Sequence, residues 1–358
     1  MLTKEELEHL TSYIFKDFTI FADSLAKGKH PTLSPPFNEY MDKDNDILGY
    51  YHYIFSVYFK ALEALGEETI NIVNYTMKEF IRKNSNREVN FSILDEVKNL
   101  CNSILDATTQ YLKGFQAFAF DKLESTMIKD ECHLLNILPI LSSSALNFFR
   151  VRKGKDLKER KELFHTPFEL RGKCGSYRFS SLGYPSLYMA ASMETAFLET
   201  NVKDPKDYFC SCFRPTKELS FIDLSLPNRD LLFWEHYSLL VFYPLIVACN
   251  LKVKKNDDPF KPEYIIPQLF VQIIRLHSNN IDGITYTSTR HKNISYTDFK
   301  QRNFVMYIPN AETEKGFSKE LSKKLVSTIP VSCYIDDAST TKDLESLCLK
   351  QEFDTIAF

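Results

Sequence analysis

The sequence predicts an α+β protein. An N-terminal α-helical domain spans residues 1–140, and a mixed α/β domain spans residues 141–358. Three observations predict it. Apolar residues in the first part recur in steps of three and four, the spacing of one helix face. Beyond residue 147 the apolar and aromatic residues gather in short runs bounded by turn residues, with helical stretches between them. The chain has 358 residues, 44% hydrophobic and 25% charged, which suits two domains and excludes wholesale disorder.

The helices come first. Thr3 and Glu6 have the spacing of a capping box, and Leu7, Leu10, Ile14, Phe18, Phe21 and Leu25 follow as an apolar stripe. Gly28 and Pro31 end it, and a proline- and aspartate-rich loop runs to Asp46. Residues 47–64, rich in Tyr, Phe and Leu, read as a buried helix, and residues 67–83 read as another. One long helical pattern runs from Ser92 to Met127, and Pro139 with the serines at 142–144 marks a junction. Helices in such succession imply a bundle.

The second part alternates. Strand candidates are FFRVRKG at 148–154, SLYMAAS at 186–192, YFCSCFRP at 208–215, LSFIDLS at 219–225 and NFVMYIP at 303–309. Helical stretches cover 193–201, 229–250 and 263–278. After residue 310 the pattern predicts a helix at 315–326, a strand at 329–335 and a short helix at 341–349.

Composition narrows the function. Net charge is −3, so no global basic field is available to hold nucleic acid. Residues 1–149 carry −7 and residues 150–358 carry +4, which makes the second part the better host for an anionic ligand. Ten glycines leave no phosphate-binding loop and no nucleophile elbow, so a nucleotide would be held mainly by side chains. The eight histidines lack metal-ligand spacing, and no metal is expected. The eight cysteines contain no Cys-x-x-Cys, and Cys210 and Cys212 have the spacing of one strand face. With no apolar leader and no long apolar run, the expectation is a cytoplasmic protein with reduced thiols and no membrane partner. Lys252, Lys254 and Lys255 read as a solvated turn.

One constellation stands out. An arginine sits in the apolar strand at Asn147-Phe148-Phe149-Arg150, where its head group needs an anionic partner or water. Arg178 precedes a Ser-Ser-Leu-Gly turn, followed by Pro185, Leu187 and Tyr188. Ser192 is placed to cap a helix that carries Thr195, Ala196 and Glu199. Asp282-Gly283-Ile284 leads through Tyr286 to Ser288, and Asn303 begins another strand. Taken singly, Arg150, Tyr188, Glu199 and Ser288 read more often as structural residues, and Arg178 reads equally either way; their shared order favours a site.

In order and spacing the four blocks resemble the RES domain family, over about residues 147–308. The resemblance implies an ADP-ribosyltransferase-like fold acting on NAD+, in bacterial toxins that destroy NAD+ by hydrolysis or phosphorolysis and are paired with an antitoxin. It places Glu199, Arg150 and Ser288 in the catalytic set. It places Arg150, Arg178, Tyr188 and Ser288 around the dinucleotide. Arg152, two residues on and on the same strand face, competes with Arg150, and Arg290 ranks lower as a phosphate ligand.

Those residue types suit the chemistry. Guanidinium groups make charge-assisted contacts to a pyrophosphate. Breaking the nicotinamide–ribose bond leaves positive charge on the ribose, which a carboxylate such as Glu199 stabilises. Tyr188 offers a stacking surface, and Ser288 a hydrogen bond to the ribose or carboxamide. The leading expectation is an NAD+ glycohydrolase or phosphorylase in a toxin–antitoxin or anti-phage system, with no cofactor beyond NAD+ as substrate. Two alternatives stay open: a mono-ADP-ribosyltransferase modifying a protein, and a catalytically silent NAD-sensing interaction protein. The helical domain is expected to regulate the enzyme, by homo-oligomerisation or by binding a regulatory protein.

Overall fold

The computed structural model describes residues 16–25, 46–85, 92–128, 134–226, 231–278, 280–295, 297–309, 315–334 and 340–358, together with 27, 29, 30, 32, 33, 37 and 40. Thr3, Glu6, Leu7, Leu10, Ile14, Gly28 and Pro31 lie outside the described residues. After a helical stretch at 16–25 come α1 (Ile47–Glu63), α2 (Glu67–Ser85), α3 (Ile93–Leu112) and α4 (Gln116–Met127). The chain continues as β1 (Ile140–Ser143), β2 (Phe148–Lys153), β3 (Leu187–Ala190), α5 (Met193–Thr200), β4 (Tyr208–Pro215) and β5 (Leu219–Asp223). Then follow α6 (Phe233–Asn250), α7 (Ile265–His277), β6 (Gly283–Thr287) and β7 (Arg302–Met306). The last elements are α8 (Lys319–Ser322), β8 (Leu325–Ser327), β9 (Val331–Ser332), α9 (Thr341–Lys350) and β10 (Asp354–Thr355).

The chain packs as two units, Met1–Pro139 with Leu226–Ile273, and Ile140–Ser225 with Ile274–Phe358. A division at residue 140 puts 226–273 in the second domain, whereas the packing puts this segment with the N-terminal helices. The cause is α6, which is buried from His236 to Asn250. A helix that is apolar all round must be enclosed by other helices rather than laid on a sheet by one stripe.

In the first unit α3 packs on α1, α2, α4 and α6. Ser92 caps α3 by accepting from Asp95 N–H, and Asp46 caps α1 by accepting from Gly49 N–H. The single long helix expected from Ser92 to Met127 is two helices. Gly114 takes a left-handed φ of +90°, Phe115 N–H reaches back to Gln110 O, and Gly114 N–H reaches Tyr111 O. That is a glycine-terminated helix end, and it turns the chain into α4. Pro244 lies inside α6 and cannot donate to the carbonyl of Leu240 one turn back. The hydroxyl of Tyr58, buried on α1, donates to Leu240 O at 2.5 Å instead.

The second unit holds one mixed sheet, in the order β1-β5-β6-β7-β3-β2-β4-β8-β10, with β9 also on β4. Among the described strands only β5 and β6 run parallel. Their crossover contains α6 and α7, as a parallel pair requires a long connection. Both faces of the sheet are covered. Phe148, Met189, Phe213, Phe221 and Phe304 make one core, and Phe149, Val151, Ala190, Cys210 and Cys212 make the other beneath α5 and α9. The alternation in β2 is the period of two expected of a strand.

The C-terminal elements are shorter than expected. The helix expected at 315–326 shrinks to α8, because Leu325 to Ser327 pair with Pro215 to Phe213 of β4. The strand expected at 329–335 shrinks to β9, because Pro330 has no N–H to give a ladder. Pairing also recruits β1, read from sequence as a junction, onto β5. At Gly283 a Cβ would stand 2.1 Å from Val305 O, so the neighbouring strand admits only glycine there. Asp282 ties the same corner together, accepting from Ser220 N–H at 2.9 Å and from Lys324 Nζ at 2.8 Å.

Candidate active site

Helix α5 presents Glu199. Ser192 caps the helix by accepting from Thr195 N–H, and Asn201, with a left-handed φ of 52°, ends it. Met193 and Ala196 are buried against β2 and β3. This leaves Glu199 exposed in the last turn. A carboxylate there sits at the negative end of the helix dipole and needs compensating donors.

Two side chains supply them. Ser288 Oγ donates to Glu199 Oε1 at 2.6 Å, and Asn303 Nδ2 donates to the same oxygen at 2.7 Å. Ser288 is fully buried just past β6 and is braced by its own N–H, which donates to Gln301 O at 2.7 Å. Its hydroxyl hydrogen is committed to Glu199, and its oxygen accepts from Arg290 N–H at 3.2 Å. Asn303 is 3% exposed on β7, in register between Ala190 of β3 and Tyr286 of β6. Among the described residues no protein donor holds Oε2, so one carboxylate oxygen of this exposed residue is pinned and the other is not.

Tyr188 lies two residues from Ala190 on the same face of the sheet. Its hydroxyl accepts from Phe179 N–H at 3.1 Å and lies 3.0 Å from Ser180 Oγ. Phe179 in turn packs on Tyr286, with ring centroids 4.8 Å apart. The turn carrying Arg178 is therefore anchored on the two strands that flank Asn303. Arg178 itself is buried in this turn, at 6% exposure, and exposed Tyr177 meets the Tyr188 ring edge-on at 5.6 Å.

Arg150 and Arg152 are separated by their contacts. Arg152 Nη1 donates to Glu162 O at 2.6 Å, which is a structural tie. β2 and β3 pair at one register only, Phe149 with Ala190. Beyond it the strands part, and Arg150 Nη1 donates into the gap, to Tyr188 O at 2.5 Å. Its Nε is buried without a hydrogen-bond partner. Burial and the nearby Arg152 charge bring the Arg150 pKa down to about 10, so it is still a cation at neutral pH.

Ser288 and Glu199, far apart in the chain, are thus brought into direct contact. Arg150 and Tyr188 form a second contact, joined to the first through the pairing of β3 with β7. Arg290 is exposed and touches Ser288 through its backbone alone among the recorded hydrogen bonds. Sequence reasoning missed Asn303 as a site residue. Its signal was an amide opening an otherwise apolar strand, with strand alternation setting its face. Among the described residues no group of three or more His, Cys, Asp or Glu side chains is arranged to hold a metal ion. No helix there is long and apolar enough to cross a membrane.

The α+β domain holds a helix-borne glutamate with a serine and an amide on the face of Phe149 and Ala190, whereas Arg150 leaves β2 on the face of Phe148 and donates to the backbone carbonyl of Tyr188. In comparison with known proteins, residues 148–317 match the RES domain family model. The chain is also 25% identical over 252 residues to a Bacillus subtilis (strain 168) protein named "Putative toxin YopC". That alignment covers 64% of this chain and spans 57% of the relative's length. No solved structure matches.

Proposed function

We propose that the protein is a toxin-like enzyme that cleaves the nicotinamide–ribose bond of NAD+. One observation carries this reading: Glu199, exposed at the end of α5, has Oε1 tied by both Ser288 and Asn303. A carboxylate oriented in advance stabilises the positive charge that develops on the ribose without reorganising. Arg150, still a cation at neutral pH, and Arg178 are the guanidinium groups that this reading assigns to the pyrophosphate. The RES domain match and the name of the Bacillus subtilis relative support a toxin, and an antitoxin partner is part of the same reading.

The experiment is nicotinamide release by the purified full chain, with and without phosphate. Glu199→Gln keeps the shape and is expected to lower the rate by about 100-fold or more. Free ADP-ribose identifies water as the acceptor, a phosphorylated sugar product identifies phosphate, and a labelled protein band identifies a protein. No release by wild type under either condition overturns the proposal.

A further inference from the structure

The connection from β6 to β7 leaves at Ser288 and returns at Gln301, and the two ends meet through Ser288 N–H and Gln301 O. Gln301 braces it from inside: its Oε1 accepts from Ser295 N–H at 2.7 Å and its Nε2 donates to Asn293 O at 3.2 Å. Ser288 at one end is bonded to Glu199, in the last turn of α5. A second attachment runs to the first turn of the same helix. Thr195, fully buried, donates its hydroxyl hydrogen to Lys300 O at 2.7 Å. Ser192 Oγ lies 2.8 Å from the same carbonyl and 3.1 Å from Thr195 Oγ1; with the Thr195 hydrogen on Lys300 O, His291 Nε2, 2.8 Å away, takes the donor role toward Thr195 Oγ1. The first turn is itself anchored, since Met193 N–H donates to Glu345 Oε2 of α9 at 3.0 Å.

We infer that His291 is a positioning residue: by donating to Thr195 Oγ1 it clasps the β6–β7 connection across α5 and holds Ser288 against Glu199. The consequence for turnover rests on the proposed function; the clasp itself does not. The reason is energetic. A single hydrogen bond at an exposed carboxylate is little to set against the freedom of so long a connection. Contacts at both ends of one rigid helix leave the connection a single placement. His291 acts through Ser288, three residues before it, and touches no reacting atom.

The test uses the full chain with His291→Ala, His291→Gln, Thr195→Val and the double variant His291→Ala/Thr195→Val. Two readouts are followed: nicotinamide release, and the rate of tryptic cleavage after Arg290 and Lys292, two exposed cations that flank His291. His291→Ala is expected to lower kcat about tenfold with KM close to wild type, the value of one such hydrogen bond. Cleavage at Arg290 and Lys292 is expected to quicken by a similar factor. His291→Gln, whose amide still donates, recovers most of both. The double variant is no worse than Thr195→Val alone, because that change already removes the His291 contact together with the bond to Lys300 O. Unchanged cleavage in His291→Ala, failure of His291→Gln to recover it, or additive effects in the double variant would each overturn the clasp. Should Thr195→Val fail to fold, the half-buried His291 pair still decides. A wild type that releases no nicotinamide overturns the proposed function alone, since the cleavage comparison still judges the clasp.

Discussion

Ser288 Oγ and Glu199 Oε1 are 2.6 Å apart, although 89 positions separate the two residues in the chain. The contact joins the end of β6 to the end of α5, and Asn303 of β7 closes on the same oxygen. Three elements therefore converge on one carboxylate atom. If that convergence orients Oε2 for catalysis, Ser288→Ala and Asn303→Ala each reduce kcat for nicotinamide release about 10- to 100-fold, with KM changed little. The double variant falls short of the product of the two, because the donors serve one acceptor. Steady-state kinetics with thermal melts checks this; full additivity would separate the two donors and remove the shared role.

Glycine at position 283 is demanded by backbone rather than by side-chain chemistry. A methyl group there meets Val305 O at 2.1 Å and Val305 C at 2.9 Å, neither of which is the end of a flexible chain. Gly283→Ala must push β6 from β7 and so disturb both Ser288 and Asn303. The expected loss is about 2–4 kcal/mol of stability, by analogy with overpacked and strained sites. Urea denaturation measures it, and a loss below about 0.5 kcal/mol would show that the strands separate at little cost.

Much of this was legible in the sequence, for identifiable reasons. The apolar and aromatic runs at 148–154 and 208–215 announce strands because Phe148 and Phe213 enter one core while Phe149, Val151, Cys210 and Cys212 enter the other, and strands form at 148–153 and 208–215. Arg150, Arg178, Tyr188, Glu199 and Ser288 stand in separate blocks whose order carries information. Asn303 escaped because one amide at a strand start has no local signature; only the register that places it between Ala190 and Tyr286 reveals its use. The break at Gly114 escaped because the apolar period continues across it, while the turn depends on one positive φ. The partnership of α6 with the N-terminal helices escaped because an all-apolar helix does not tell which neighbours enclose it.

Tyr58 and Pro244 form a compensated pair in the helical unit. The proline withholds the N–H that Leu240 O would accept, and the tyrosine hydroxyl replaces it. Burial, with Tyr243 and Cys101 nearby, pushes the Tyr58 pKa well above its ordinary value, so the phenol stays protonated and keeps donating. Tyr58→Phe strands a buried carbonyl and is expected to destabilise by about 1–3 kcal/mol. Adding Pro244→Ala returns an N–H to that carbonyl, so the double variant should lose less than the sum of the single variants. Denaturation of the four proteins completes the cycle, and strict additivity would disconnect the hydroxyl from the proline.

His165 makes stability depend on mild acid. It is fully buried; its Nε2 accepts from Ser318 N–H at 2.8 Å, which leaves Nδ1 to donate to Thr166 O at 2.7 Å. Burial, aided by the Arg150 charge and opposed by the Thr166 contact, brings its pKa from 6.5 down to about 4. Above pH 6.5 the ring is neutral in folded and unfolded chains alike, and its contribution is intact. Between pH 6.5 and 4 the unfolded chain binds a proton that the folded chain refuses, so stability falls as pH falls through this window. The full loss, reached below about pH 4, is on the order of 3 kcal/mol. His165→Gln abolishes the titration while other acid-sensitive groups remain. Wild type should lead the variant at pH 7 and lose that lead progressively down to pH 4 when unfolding free energies are measured in urea at each pH. A lead that stays constant across the range would mean that the buried ring takes up its proton without unfolding the chain.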